Sequence, residues 1–237
     1  FPERDLCVVD LGCGDGAFLD DPQNRELIGT GGVYCGVDVA GDLIEVARTR
    51  HADVPAIFIE GDLSDPTTAG EIAKTGVAWD AALSVFVMQE MPDATKLLDT
   101  FARIVRSGGI ALMLTVHPSF GLWLRDKGYM TVEEKVIPGG EDAALWRWAG
   151  KYPIVDEPRE PFYLPYFHRT LDDYREVFRS AGFYETSMIG IPDAYTRSFL
   201  NSHGISPFVP SETNVYWPRM IEEPSALLIA AVKGPSL

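Results

Sequence analysis

The sequence predicts an α/β fold built on a doubly wound parallel sheet, with a segment inserted after the fifth strand. Short apolar runs alternate with helical stretches through the first half of the chain, a pattern typical of parallel sheets covered by helices. The second half is rich in aromatic residues, Pro and Gly. With 237 residues, 46% of them hydrophobic, the chain is long enough for one large core that carries such an insertion.

Five strand and helix units account for the first half. The predicted strands cover residues 6–11, 33–38, 56–61, 80–86 and 109–116. Apolar residues at spacings of three and four predict helices over 41–50 and 93–109. Ligands of such sheets bind outside the carboxyl ends of the strands, near the point where the strand order reverses. Functional residues are therefore expected at the strand ends.

The second half predicts a lid and a return to the core. Residues 117–169 read as about 50 irregular, aromatic-rich residues, and a stretch of that kind usually forms a lid or a binding loop. A helix over 170–183 and strands over 184–191 and 226–233 follow it. The predicted division is a cofactor-binding core over 1–116, a substrate lid over 117–169, and a C-terminal part over 170–237 with a second insertion at 192–224.

The composition of the chain argues against several classes of binding partner. A formal net charge of −15 disfavours nucleic acid, because capture of a phosphate backbone requires clustered Lys and Arg. No apolar run approaches the roughly 20 residues that a membrane-spanning helix needs. Cys7, Cys13 and Cys35 lack the paired spacing of zinc sites, so no metal site is predicted. Their odd number argues against a disulfide framework and favours a cytoplasmic setting.

Three consecutive strand ends carry groups suited to a ligand. Residues 8–16 read VVDLGCGDG, and glycines at 12, 14 and 16 permit positive φ and a bare backbone against a ligand. Asp38 ends the second strand about 20 residues later, the spacing at which an acid accepts both ribose hydroxyls of an adenosine. Asp62 follows the third strand. These groups indicate a nucleoside cofactor, and the glycines alone fit nicotinamide and S-adenosylmethionine cofactors equally.

The residues flanking the glycines distinguish these two cofactors. A dinucleotide loop normally reads GxGxxG and directs a helix N-terminus onto a pyrophosphate, whereas this chain has GCGDG. Asp15 would place a negative charge where that anion lies. The loop is therefore better suited to a ligand without phosphate.

Five motifs in order resemble those of class I S-adenosylmethionine-dependent methyltransferases. They are VVDLGCGDG, GVDVA, EGDLSD, WDAALSVFVMQEMPD and ARIVRSGGIALMLTVHP, and together they span roughly residues 6–118. The resemblance implies a Rossmann-like sheet of about seven strands, with five or more parallel and the last antiparallel. It also implies S-adenosylmethionine as cofactor and S-adenosylhomocysteine as product.

The same resemblance implies roles for individual residues. Asp10 would stabilise the glycine loop, Asp38 would hold the ribose hydroxyls and Asp62 would meet the adenine amino group. The remaining implied cofactor contacts are Gly12, Cys13, Gly14, Gly16, Val39, Leu63, Ser84 and Phe86, where Cys13 is a small residue that fills the loop. Gln89 and Glu90 stand where the family often has a His pair, and they are predicted to contact the substrate.

Histidines and aromatic residues supply the candidates on the acceptor side. His117 directly follows the fifth strand and His168 closes the aromatic segment, so either is a candidate general base or acceptor partner. Trp123, Tyr163 and Tyr166 are predicted to line an acceptor pocket. The alternative for such rings is a small core of the lid itself. His51 is predicted to cap a helix C-terminus.

These features predict a methyltransferase that acts on oxygen or nitrogen of a small-molecule acceptor in specialised metabolism. Within the fold, the alternative is a protein or RNA methyltransferase. From other classes, the alternatives are an NAD(P)-dependent oxidoreductase and a domain that binds the cofactor without transferring a methyl group.

Overall fold

The computed structural model describes residues 5–126, 128, 130–135, 146–154, 162–192 and 224–235, which form two sheets and six α-helices. The main sheet contains β1 (Cys7–Leu11), β2 (Val33–Asp38), β3 (Ala56–Glu60), β4 (Trp79–Val85), β5 (Val105–Val116), β9 (Phe183–Pro192) and β10 (Pro224–Lys233). The second sheet contains β6 (Thr131–Lys135), β7 (Trp148–Ile154) and β8 (Phe162–His168). The α-helices are α1 (Pro22–Ile28), α2 (Gly41–Arg50), α3 (Pro66–Ala73), α4 (Ala94–Ile104), α5 (Pro118–Asp126) and α6 (Leu171–Ser180), and short 3₁₀ turns occur at Ala17–Asp20 and Met88–Glu90.

The main sheet has the strand order β3-β2-β1-β4-β5-β10-β9. Strands β1 to β5 are parallel, and β10 runs antiparallel to both of its neighbours. The predicted doubly wound, Rossmann-like sheet of seven strands with an antiparallel last strand is therefore confirmed. The strand order reverses between β1 and β4, so the carboxyl ends of these two strands flank the crevice where such sheets bind ligands.

The helix predicted over 93–109 ends earlier than its apolar pattern indicates. It stops at Ile104, and the chain enters β5 at Val105. The register between β4 and β5 shifts from the pair Trp79 and Val105 to the pair Ala81 and Ile110, and Gly108 has φ +71°. Because glycine is a poor helix former and this one adopts a left-handed conformation, residues after Ile104 leave the helix for a bulged strand.

Helix caps and apolar faces explain where α4 and α6 lie. Asp93 accepts a hydrogen bond from the backbone N–H of Thr95 at 3.0 Å, and Thr170 and Asp173 form a capping box at α6. Both helices bury one apolar face against the main sheet. Their buried residues include Leu97, Leu98, Phe101, Ile104, Tyr174, Val177 and Phe178.

The prediction that residues 117–169 are irregular is wrong for their described part, which is largely regular, while their role as a substrate lid stays a prediction. Residues 117–169 contain α5 and the antiparallel sheet β6-β7-β8. Met130, Trp148 and Tyr166 form a small core of their own beneath α5. Most of the second predicted insertion, residues 193–223, lies outside the described residues. None of the helices in the described ranges is long and apolar enough to cross a membrane.

Candidate functional site

The carboxyl ends of β1, β2 and β4 are tied to one another by hydrogen bonds. Ser84 Oγ, which is fully buried, donates to the carbonyl of Leu11 at 2.7 Å. The backbone N–H groups of Gly12 and Cys13 donate to the carbonyl of Val37 at 2.7 and 3.0 Å. The glycine loop is therefore held in place between β1 and β2.

Each glycine of the loop has positive φ, but the three face different surroundings. A Cβ built on Gly12 would overlap Cγ2 of Val87, and one built on Gly16 would lie 2.9 Å from Cδ2 of His51. A Cβ built on Gly14 would find no atom within 4 Å. Packing thus requires glycine at positions 12 and 16, whereas Gly14 faces open space.

Asp38 connects the end of β2 to the glycine loop. Its Oδ2 accepts a hydrogen bond from the backbone N–H of Gly14 at 2.8 Å, and its Oδ1 accepts one from Ala40 at 2.9 Å. An ionised carboxylate offers about four acceptor positions, so these two bonds leave capacity for further donors. The geometry is compatible with the predicted role of binding ribose hydroxyls.

Asp10 is a buried acid beneath the loop, with one oxygen lacking a partner. Its Oδ2 accepts a hydrogen bond from the hydroxyl of Tyr34 at 2.9 Å, while Oδ1 has none from the described residues. Burial raises the pKa of Asp10 to about 7, the Tyr34 hydrogen bond lowers it, and the charge of Asp38 raises it further. A cationic donor near Oδ1 would stabilise the ionised form.

Asp15 does not present the bare negative charge that the sequence suggests. Its carboxylate pairs with Arg50 Nη1 at 2.5 Å, and Arg50 Nη2 also pairs with Asp20. The negative charge of Asp15 is therefore partly offset by an arginine that it shares with Asp20. Repulsion of a pyrophosphate by Asp15 is accordingly a weaker argument against a dinucleotide than the sequence alone indicates.

The end of β3 places Asp62 at an exposed position. Its Oδ1 accepts a hydrogen bond from the backbone N–H of Ser64 at 2.7 Å, whereas Asp65 caps α3 by accepting from Thr67 at 2.8 Å. Asp62 therefore closes a local turn and is not the cap of the following helix. Its neighbour Leu63 is buried, and Val39 beside Asp38 is exposed.

Cys13 is buried under the glycine loop. A Cβ built on Gly36 would lie 2.7 Å from its sulfur, which shows how closely the thiol fills this space. Burial and the nearby acids raise the pKa of Cys13, so the thiol stays protonated and unreactive. This environment agrees with the interpretation of Cys13 as a small residue that fills the loop.

The segment after β4, residues 86–92, is held in an unusual conformation. Phe86 has φ +56°, the only positive value of a residue other than glycine in the described ranges, and 43% of its surface is exposed. The buried amide of Gln89 donates to the carbonyl of Phe86 at 2.6 Å and accepts from Thr115 Oγ1 at 2.9 Å. Gln89 therefore holds the segment in place from its buried side. Glu90, the next residue, is half-buried.

His117 caps the N-terminus of α5. Its Nδ1 lies 2.7 Å from Ser119 Oγ and accepts a hydrogen bond from the backbone N–H of Ser119 at 3.3 Å. An accepting Nδ1 favours the neutral tautomer with the proton on Nε2, and burial lowers the pKa of His117. Nε2 faces Gly190 on β9, which lies three strands, or about 14 Å, from β4 in the sheet.

His168 lies in the core of the lid. Its ring stacks on Trp148 with centroids 4.8 Å apart, and only 3% of its surface is exposed. Burial lowers the pKa of His168 to about 4, with a further lowering by Arg125 and an opposing effect of Asp173. The ring is therefore neutral near pH 7 and a weak proton acceptor there.

The predicted aromatic contacts divide between the core of the lid and its surface. The hydroxyl of Tyr166 occupies the space that a Cβ on Gly121 would take, so Tyr166 packs under α5. Trp123 stacks on Phe120 with centroids 5.7 Å apart, and 58% of the surface of Tyr163 is exposed. Tyr166 thus belongs to the core of the lid, the alternative that the sequence left open for such rings.

Several residues that shape the site were not recognised from the sequence. Val87 packs on Gly12, Arg50 pairs with Asp15, and Arg169 reaches the segment after β4 from the C-terminal end of β8. Each of these contacts joins residues at least 35 positions apart. No periodicity or spacing signal reports contacts of that kind.

Comparison with known proteins gives matches in sequence. A family model described as a methyltransferase domain matches residues 1–187. The ubiquinone biosynthesis O-methyltransferase of Rhizobium etli is 30% identical over 116 residues, which are 49% of this chain and 43% of that relative. The chain thus spans about half the length of the curated relatives it matches.

Solved structures share the fold over nearly the whole chain. An S-adenosylmethionine-dependent methyltransferase from Mesorhizobium loti superimposes with a TM-score of 0.60 at 17% identity, covering 98% of this chain and 94% of that one. A putative S-adenosylmethionine-dependent methyltransferase from Listeria monocytogenes superimposes with a TM-score of 0.59 at 16% identity. The match covers 99% of this chain and 94% of that one.

Proposed function

Because the chain belongs to the methyltransferase-domain family, as a class I S-adenosylmethionine-dependent methyltransferase, we propose that it methylates an oxygen or nitrogen atom of a small apolar or aromatic molecule. The observation that carries this proposal is the position of the lid. Its strand β8 is joined through Arg169 to the segment after β4, so an aromatic-rich sheet stands beside the crevice. The name of the Rhizobium etli relative, an O-methyltransferase, supports oxygen as the acceptor atom.

The residues present fit the cofactor of this family. Gly14 offers open space, Asp38 has acceptor capacity for ribose hydroxyls, and Asp10 Oδ1 is a buried acceptor that suits the cationic methionine end. Asp62 is exposed beyond β3 for the adenine. When bound, S-adenosylmethionine supplies an electrophilic methyl group on a sulfonium. The protein's task is then to align the acceptor and exclude water, and positioning alone can lower a barrier by about 7–11 kcal/mol.

The described residues proposed to surround the acceptor provide apolar contacts, but they do not include a side chain that is an effective general base near pH 7. Phe86 and Tyr163 expose much of their rings, which suits an apolar or aromatic acceptor. A general base is worth roughly 10²–10⁴-fold and works best with a pKa near the working pH. His117 and His168 are the candidate bases that the sequence offers, but the capping bond of His117 and the low pKa of His168 support structural roles for both. This favours an acceptor that loses its proton readily, such as a phenol, or an amine that arrives unprotonated.

A small acceptor is favoured over a macromolecular one by charge. A net charge of −15 repels RNA, and Asp38 and Asp62 place acids at the ends of β2 and β3. A setting in the cytoplasm is supported by the thiols of Cys7, Cys13 and Cys35, all of which are free.

The proposal is tested by following S-adenosylhomocysteine formation with purified protein and S-adenosylmethionine. The acceptor panel contains 3,4-dihydroxybenzoate, an alkylated hydroquinone, a simple phenol and an aliphatic amine, with total tRNA and bulk protein as macromolecular substrates. We expect turnover with at least one phenolic compound and none with the macromolecules. Turnover with tRNA or protein and with no small molecule would reject the proposal. The Gly14→Ala variant, which narrows the open part of the glycine loop, serves as the negative control.

A further inference from the structure

Arg169 lies between β8 and α6, with its side chain completely buried. Nη1 donates to the carbonyls of Met88 and Phe167 at 3.0 and 3.3 Å, and Nη2 donates to those of Met91 and Pro92 at 2.7 and 3.2 Å. No carboxylate in the described part of the chain accepts a hydrogen bond from this guanidinium. Among the described residues, only backbone carbonyls accept hydrogen bonds from this buried cation, and its Nε has no partner there.

Such a cation is a poor choice if fold stability is all that matters. Removing a guanidinium from water is costly, and apolar side chains of similar volume often stabilise a core as well or better. What Arg169 provides is a planar fork whose donors reach several acceptors in fixed directions. The backbone segment that contributes most of these carbonyl acceptors is therefore the segment that Arg169 fixes in place.

Three of the four carbonyls belong to the segment 86–92, which has little regular structure of its own. It begins at Phe86 with its positive φ, contains one 3₁₀ turn and ends at Pro92. Residues held in sparsely populated backbone regions persist only when their surroundings determine them. The buried side chains of Arg169 and Gln89 hold the segment in this conformation through hydrogen bonds to its carbonyls.

The same segment touches the glycine loop. Val87 packs on Gly12 so closely that a Cβ at Gly12 would overlap its Cγ2. On the other side, His168 and Thr170 flank Arg169 in sequence and connect it to β8 and α6. A continuous set of contacts thus runs from the lid through Arg169 and Val87 to the glycine loop.

We propose that Arg169 is a positioning residue for methyl transfer, which fixes the segment 86–92 between the lid and the glycine loop and thereby aligns the acceptor with the cofactor. The glycine loop has its own hydrogen bonds to Val37 and Asp38. Loss of Arg169 therefore disturbs acceptor alignment far more than cofactor binding. This role concerns the reaction of the family and holds whichever acceptor is used.

The test compares Arg169→Lys with wild type. Lysine keeps the positive charge but lacks the fork, so it cannot serve both pairs of carbonyls. We expect amide hydrogen exchange across 86–92 to accelerate, while peptides covering β1 and β2 exchange as in wild type. With S-adenosylhomocysteine as the probe, calorimetry should give a Kd within about threefold of wild type. With 3,4-dihydroxybenzoate, or the best acceptor of the panel, kcat should fall by roughly 10- to 100-fold, the scale expected for a misplaced reactant.

Arg106→Lys is the matched control. Arg106 Nε bonds Asp80 Oδ1 at 2.7 Å at the opposite end of β4, so this variant also disrupts an arginine contact without touching the segment 86–92. It should leave both the local exchange pattern and kcat unchanged. Wild-type exchange across 86–92 in Arg169→Lys would overturn the proposal, whether or not an acceptor has been found. A uniform rise in exchange over all peptides, with kcat falling only in proportion to unfolded protein, would also overturn it by showing a purely structural role.

Discussion

Asp38 accepts a hydrogen bond from the backbone N–H of Gly14 at 2.8 Å, so the acid that ends β2 holds the loop that follows β1. The pair joins two neighbouring parallel strands at their carboxyl ends, beside the reversal of strand order. One substitution at Asp38 therefore removes two things together: its bond to the loop, and the acceptors that we propose bind the ribose of the cofactor.

Replacement of Asp38 by Ala should weaken S-adenosylhomocysteine binding by about 1.5–3 kcal/mol, or roughly tenfold to a hundredfold, because charge-assisted hydrogen bonds are lost. Asp38→Asn keeps one oxygen acceptor and should lie between Ala and wild type. Isothermal titration calorimetry measures both affinities, with thermal unfolding as the check on folding. An unchanged Kd in folded Asp38→Ala would place the ribose elsewhere.

Gly14→Ala should impair cofactor binding with little additional loss of stability. Both Gly14 and Gly76 have positive φ, +56° and +70°, and a Cβ on either meets no atom within 4 Å. The two Ala variants therefore carry a similar backbone strain of about 1 kcal/mol, and Gly76, which follows α3, is the matched control. We expect both to unfold at similar temperatures and only Gly14→Ala to lose S-adenosylhomocysteine affinity. Equal affinities in calorimetry would show that no ligand lies against Gly14.

Asp10→Asn should change how stability depends on pH. Since the pKa of Asp10 is raised to about 7 in the fold, the folded protein keeps a proton that the unfolded chain has lost between pH 4 and pH 7. This contribution to stability is fully present below about pH 4 and is lost as pH rises through 7. Relative to wild type, Asp10→Asn should therefore gain about 2–3 kcal/mol between pH 5 and pH 8.

Urea unfolding at pH 5 and pH 8 measures this difference directly. The same substitution should weaken cofactor binding at pH 8, because Asn lacks the charge that pairs with a cation. A stability difference that is independent of pH would mean that Asp10 is ionised at both values, and the burial argument would then fail.

His117→Ala should lower stability more than turnover. The ring caps α5 through Ser119, and loss of an N-cap costs about 0.5–2 kcal/mol. His117→Asn restores a capping acceptor without an imidazole and should recover most of that stability. We expect kcat of both variants to stay within about threefold of wild type. A fall of 10²–10⁴-fold in both, with cofactor affinity intact, would instead identify His117 as the general base.

The elements that local patterns determine were predictable from the sequence. The helix over 41–50 coincides with α2, and each predicted strand of the first half overlaps an observed one. The glycine loop and the acids at strand ends are also local signals, because a tight turn after a strand needs glycine and a parallel sheet brings its carboxyl ends together. These residues do meet at one edge of the sheet.

Features that depend on contacts between distant residues could not be predicted in the same way. The lid sheet forms by pairing β7 with β6 and β8 across long stretches of chain, and the Pro and Gly content of the lid hides its strands. Tyr166 reads as a pocket residue by composition, yet it packs beneath α5. The pairing of Asp15 with Arg50 and the reach of Arg169 to Met88 depend on tertiary packing, for which a single sequence carries no signal.

The most direct test of the proposed function follows where the methyl group goes. Purified protein is incubated with S-adenosylmethionine labelled in its methyl group, together with either deproteinised cell extract or the protein and RNA fractions of the same cells. We predict label in an extractable small molecule that appears with wild type and falls at least severalfold with Asp38→Ala when the cofactor concentration is near the wild-type Kd. Label that is retained in protein or RNA, with none in the small-molecule extract, would contradict the account.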